Sequence, residues 1–175
     1  HVNQKGSLVN EDNLRFDFSH FAKITEEDLA KVEHIVNQKI RANIQLKEQR
    51  NVPYDEAITS GVTALFGEKY GDFVRVITFD DHFSKELCGG THVKATGQIG
   101  YFKIVSASAV AAGVRRIEAI TATKAEEFIV NQSKEIAQLK TLLKGNQNIS
   151  LAVQSLLDEN AKLKKEVEKS ILAKA

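Results

Sequence analysis

Methionine and tryptophan are absent from this 175-residue chain, and cysteine and proline occur once each. A single cysteine, Cys88, excludes an internal disulfide and fits a reducing, cytoplasmic setting. No apolar run approaches the ~20 residues a membrane helix needs, so no membrane association is expected. The polar opening His1-Val2-Asn3-Gln4 has none of the features of a secretory signal. An excess of charge of either sign is missing too: 24 basic against 23 acidic residues leave a net charge of +1. Residues 1–123 hold 15 basic and 16 acidic groups, and residues 124–175 hold nine and seven. That excludes a broad basic footprint for nucleic acid, so any RNA contact rests on a local patch or on other domains. With no methionine even at position 1, the chain is expected to be a piece of something longer.

What is present is ordinary globular material: 42% hydrophobic and 27% charged residues. Residues 2–9 and 14–19 read as two strands joined by the polar turn Asn10-Glu11-Asp12-Asn13, with Leu14, Phe16 and Phe18 alternating against Arg15, Asp17 and Ser19. Thr25-Glu26-Glu27-Asp28 is a helix start, with Thr25 as cap and an acidic first turn. Leu29, Val32, Val36 and Ile40 then recur at helical spacing up to about Arg41. Ile44 and Leu46 alternate with polar residues as a short strand. Pro53 opens a short helix that Gly61 ends. Residues 73–79, 99–106 and 114–121 read as strands rich in β-branched and aromatic residues.

From Lys124 glycine, proline and aromatics nearly vanish. Ala125, Ile129, Ile136, Leu139 and Leu143 share a helical face. Gly145-Asn146-Gln147-Asn148 interrupts it, and Ile149, Val153, Leu156, Asn160, Leu163 and Val167 follow a 4-3 spacing of coiled-coil type. The fold class is therefore α+β: a mostly antiparallel sheet with packed helices over residues 1–123, followed by an α-helical hairpin over residues 124–175.

Three stretches can carry chemistry. In Glu86-Leu87-Cys88-Gly89-Gly90-Thr91-His92, a thiol and an imidazole have three residues between them, two of them glycines that let the chain fold back. Both groups ligate zinc, which needs three or four ligands where this stretch offers two. The spacing equally describes a buried cysteine beside a surface histidine, or a cysteine nucleophile with His92 as base. In Ala111-Ala112-Gly113-Val114-Arg115-Arg116-Ile117-Glu118-Ala119, alternation puts Arg115 with Ile117 and Ala119 on one face, and Arg116 with Glu118 on the other. One arginine is suited to a phosphate and the other to an acidic partner within the sheet. A surface ion pair of little energetic consequence fits equally well. The third stretch, Val2-Asn3-Gln4-Lys5-Gly6-Ser7, offers Gln4 for a polar ligand or for backbone. His20, His34 and His82 form no H-x-x-x-H pair.

Taken in order, the stretches 1–9, 14–20, 64–71, 86–92 and 111–119 resemble the alanyl-tRNA synthetase family. The resemblance is strong over residues 1–123 and continues only in position and helical character beyond. It implies an editing domain that hydrolyses seryl- or glycyl-tRNA(Ala) at the acceptor end. It implies a zinc ion with Cys88 and His92 as two of four ligands, the other two being an H-x-x-x-H pair that the family carries just upstream of the segment beginning at His1. Gln4, Thr91, Arg115 and Arg116 would contact substrate, while ATP and magnesium would belong to an aminoacylation domain outside this chain. The stretch Ser106-Ala107-Ser108-Ala109-Val110 is poorer in glycine than the family pattern. Two rival readings share part of this signature: a free-standing alanyl-tRNA editing hydrolase, and a non-catalytic tRNA-binding or dimerisation module. No feature of the sequence names a catalytic base or an oligomeric state.

Overall fold

A computed structural model describes residues 2–65, 69–143 and 148–173. The chain divides into two compact units, His1–Glu126 and Glu127–Ala175. The architecture is α+β, with antiparallel strand pairs throughout both sheets.

The first unit opens with β1 (Gln4–Val9) and β2 (Leu14–Ser19). Their turn closes because the Asn10 side-chain oxygen accepts from the Asp12 and Asn13 amides, both at 2.9 Å. Helix α1 (Glu26–Arg41) begins at a complete capping box: Thr25 Oγ1 accepts from the Asp28 amide at 3.1 Å, and the Asp28 carboxylate accepts from the Thr25 amide at 3.3 Å. Strand β3 (Lys47–Pro53), helix α2 (Tyr54–Thr59), β4 (Phe73–Asp80) and β5 (Ser84–Leu87) follow. A 3-10 turn (Thr96–Ile99) leads to β6 (Phe102–Ala111) and β7 (Val114–Thr121). The strands form a four-stranded sheet in the order β1-β2-β7-β6 and a three-stranded sheet in the order β3-β4-β5.

Helix α1 covers the four-stranded sheet. Ile40 packs with Phe102 and Ala119, and Leu14, Val36, Ile99 and Ile104 close the cluster. The expected apolar stripe is only partly the buried one: Val32 is exposed, whereas Asn37 is buried. The reason lies at β6, which is an edge strand and needs its backbone satisfied. Asn37 donates to the Phe102 carbonyl at 2.8 Å and accepts from the Phe102 amide at 2.9 Å. Glu33 accepts from the Ile104 amide at 3.0 Å and pairs with Lys103 at 3.0 Å. Two polar side chains of a helix thus stand where a further strand would pair.

Several boundaries differ from the sequence pattern, each for a local cause. Ile44–Leu46 does not form a strand of its own: it meets residues 94–96 through a single bridge, and the regular strand begins at Lys47. Pro53 is the last residue of β3 and the N-cap of α2, one position before the helix it was expected to open. The residues from Ile99 belong first to the 3-10 turn, and β6 runs on to Ala111. The β6–β7 turn needs Gly113: its φ is +69°, and a Cβ there would stand 2.7 Å from the Phe21 ring.

The helical stretch is borne by α3 (Ala122–Leu142), which begins two residues before Lys124 with its first turn still in the first unit, and by α4 (Ile149–Leu172) in the second. Asn148 caps α4, accepting from the Leu151 amide at 3.0 Å. The interrupting residues Gly145, Asn146 and Gln147, like Phe66-Gly67-Glu68 earlier, lie outside the described residues. Ala125 at the base of α3 is fully buried, but Ile129, Ile136 and Leu139 of α3 and Val153, Leu156, Leu163 and Val167 of α4 are exposed. No helix among the described residues is long and apolar enough to cross a membrane.

Candidate functional site

The Cys88–His92 loop is placed by the three-stranded sheet. Strand β4 is its centre, and alternation puts Phe73, Arg75, Ile77 and Phe79 on one face and Val74, Val76 and Thr78 on the other. The second face packs with Ala57, Val62 and Leu87 as a core cluster. The loop lies at the first face. As the chain leaves β5, the Cys88 amide donates to the Arg75 carbonyl at 3.2 Å. The Arg75 guanidinium donates to the Cys88 carbonyl at 3.1 Å and to the Gly90 carbonyl. Further on, the His92 ring lies 6.3 Å from the Phe79 ring.

Both candidate metal ligands are half-buried, and Cys88 is a free thiol. His92 Nε2 is buried with no hydrogen-bond partner. A buried ring nitrogen in that condition is costly unless something outside the protein completes it. A metal ligand's lone pair fits that requirement, as does the presence of a second zinc-ligating side chain, Cys88, at the other end of the loop. Among the described residues no group of three or more His, Cys, Asp or Glu is assembled to hold a metal, so Cys88 and His92 stand as a pair. Thr91 is exposed and lines a cleft of about 580 Å³ with Arg50, Asn51, Phe73, Arg75 and His92.

Gln4, Arg115 and Arg116 belong to the other sheet. Register places Gln4 opposite Phe18, and Phe18 opposite Arg115, so the three occupy one row across β1, β2 and β7. Gln4 is half-buried and donates to Ser7 Oγ at 3.2 Å. The structure therefore separates the candidate residues into two groups: Cys88, Thr91 and His92 on the three-stranded sheet, and Gln4, Arg115 and Arg116 on the four-stranded one.

The two arginines divide their roles by face, as alternation anticipated. Arg116 reaches Asp17 on the neighbouring strand with both nitrogens of a planar fork, at 2.7 and 2.8 Å. Arg15 approaches the same carboxylate at 3.7 Å. Arg115, on the opposite face, donates to the Phe21 and Ala22 carbonyls at 2.8 and 3.0 Å. It borders a cleft of about 470 Å³ between α1 and β6 that also exposes Lys23, Glu33 and Lys103. Arg116 is thus the partner of the acid within the sheet, and Arg115 fixes the loop between β2 and α1.

The Arg116 hydrogen bonds, aided by the positive charges of Arg116 and Arg15, hold the Asp17 carboxyl below the ordinary carboxylate range against the opposing effect of burial. A depressed folded-state pKa stabilises the fold above the unfolded value, and that stabilisation is lost as pH falls through the folded value. Asp28, Glu48 and Asp80 are lowered as well, so acid weakens the fold through several groups. Asp17→Asn isolates one share. Urea titrations over a pH series are expected to show the variant less stable than wild type near neutrality, with the gap closing below the carboxylate range. A gap that stays constant down to strongly acid pH would contradict this.

Sequence reasoning overlooked Arg75 and Glu48. The signal was available in Phe73-Val74-Arg75-Val76-Ile77: one cation inside a run that otherwise reads as a buried strand. Glu48 on β3 accepts from Arg75 Nε at 2.9 Å and also binds Arg50, and these bonds, Arg75 foremost, lower its pKa.

Comparison with known proteins gives this geometry a family. Residues 74–118 match the model of the threonyl and alanyl tRNA synthetase second additional domain. That segment includes all of β4 but its first residue, the Cys88–His92 loop and both Arg115 and Arg116, and it defines the class: a module of tRNA synthetases. Over 168 residues, 96% of this chain, the sequence is 61% identical to an alanine–tRNA ligase of Cytophaga hutchinsonii and 58% identical to one of Bacteroides fragilis. Over all 175 residues it is 51% identical to one of Parabacteroides distasonis. The chain belongs to the alanyl-tRNA synthetase family, as a segment of it. It spans about a fifth of the length of the curated relatives it matches.

Proposed function

We propose that this chain carries part of an editing site that hydrolyses seryl- or glycyl-tRNA(Ala) at the tRNA acceptor end, within a longer alanine–tRNA ligase. The observation that carries the reading is the buried, partnerless Nε2 of His92 on a loop whose other end is the free thiol of Cys88. In this reading Cys88 and His92 hold zinc together with ligands from elsewhere in the longer protein. When bound, the metal supplies a Lewis acid that activates water or recognises the amino acid. Thr91 borders the cleft into which the amino acid is presented. Arg115 and Gln4, in one row of the other sheet, supply polar contacts to the nucleotide end. A second hydrolytic sieve answers a physical need, because a synthetic pocket for alanine rejects a near-isostere with one added hydroxyl poorly.

The test is Cys88→Ala in the full-length synthetase. Seryl-tRNA deacylation is expected to fall by at least about 100-fold, since losing a ligand exceeds the cost of losing an outer-shell partner, while aminoacylation with alanine persists. Deacylation at the wild-type rate would overturn the assignment.

A further inference from the structure

The five residues from Cys88 to His92 have little of their own to hold them. A Cβ built on Gly89 would meet nothing within 4 Å, and one on Gly90 would meet only Cys88 Sγ, at 3.6 Å. The glycines are therefore not there because neighbours press on them; they leave the loop with more freedom to lose than any other residues would. A loop that must present a thiol and an imidazole in fixed relation needs an anchor between them.

Arg75 provides one. Its carbonyl accepts from the Cys88 amide, and its guanidinium donates to the carbonyls of Cys88 and Gly90. Among the described residues it is the only side chain bonded to the backbone between Cys88 and His92. Its own direction is fixed by Glu48 at 2.9 Å on the adjacent strand, and both side chains are about three-quarters shielded from solvent, at 22% and 25% exposure. A planar fork serves two carbonyls and a carboxylate in fixed directions from one position, whereas a lysine ammonium is a single point on a flexible stem.

We infer that Arg75 is a positioning residue for the Cys88–His92 pair, acting through the loop carbonyls and oriented by Glu48. It acts through the two loop carbonyls it binds, and so sets the geometry in which the two ligands meet an ion. This rests on the reading of Cys88 and His92 as metal ligands.

The experiment uses full-length synthetase with cobalt(II) replacing zinc, because the thiolate-to-cobalt band and the ligand-field bands report ligand identity and geometry without any turnover. Arg75→Ala is expected to lower cobalt affinity by about 10–100-fold, the usual effect of removing an outer-shell partner, and to shift the ligand-field bands. Arg75→Lys is expected to fall between that variant and wild type. Wild-type affinity and bands in Arg75→Ala, in a protein where Cys88→Ala removes the thiolate band, would overturn the positioning role and leave the metal site standing. A thiolate band that survives Cys88→Ala would overturn the metal assignment and this role together. If the alanine variant does not fold, as judged by lost aminoacylation, Arg75→Lys decides: wild-type affinity overturns the inference, and a several-fold loss supports it.

Discussion

Asn37→Leu is expected to destabilise the chain by about 2–5 kcal/mol, although leucine is the better helix former and has the same number of side-chain heavy atoms, branched at the same carbon. The side chain is 6% exposed and makes three hydrogen bonds, two of them to Phe102. Phe102 begins an edge strand, so no further strand can take over its amide and carbonyl. Leucine would leave both buried and unpaired, at about 1–3 kcal/mol each. The loss should appear as a lower urea midpoint with an unchanged slope, since the folded contact area is nearly preserved. Gln38→Leu, one position on and exposed, is the control and should move the midpoint little. A shift of less than about 0.5 kcal/mol in Asn37→Leu would mean that β6 is not held by this helix.

Asn37 also shows where the sequence stopped speaking. Helix α1 was legible from Thr25 to about Arg41 because caps and apolar spacing are local. The face that packs was less so, because an asparagine becomes buried only when a strand 65 residues later brings its backbone alongside. The arginine pair followed the same division. Alternation along residues 114–121 separated Arg115 from Arg116, and strand register places them on opposite faces. Which of them meets an acid depended on Asp17, 99 residues away on a neighbouring strand. Ile44 and Leu46 alternate as a strand should, yet alternation cannot report that only one rung of pairing awaits them.

The candidate site was legible in parts. Cys88 and His92 were visible as a local pattern, and the buried nitrogen of His92 gives that pattern a physical reason. The relation of these residues to Gln4 and the arginines was not visible, because strand order is not written in any one strand. The structure assigns them to two sheets. A site that used both groups, as the proposed function has it, would draw on both sheets.

Ile77→Ala tests the ground beneath that site. Ile77 is fully buried at the centre of β4, on the face that carries Arg75 and Phe79, and its neighbours across the ladder are Glu48 and Glu86. Deleting its side chain beyond Cβ removes buried apolar surface and leaves a cavity that a strand paired on both sides cannot collapse to fill; the expected loss is about 2–5 kcal/mol. Phe73→Ala, on the same face of the same strand, removes a larger side chain, but Phe73 is 65% exposed, and the expected loss is below about 1 kcal/mol. The two variants separate burial from size, and urea unfolding of each measures it. Equal losses would mean that the β4 face carrying Arg75 is open to water, and that the loop anchored there is not shielded from it.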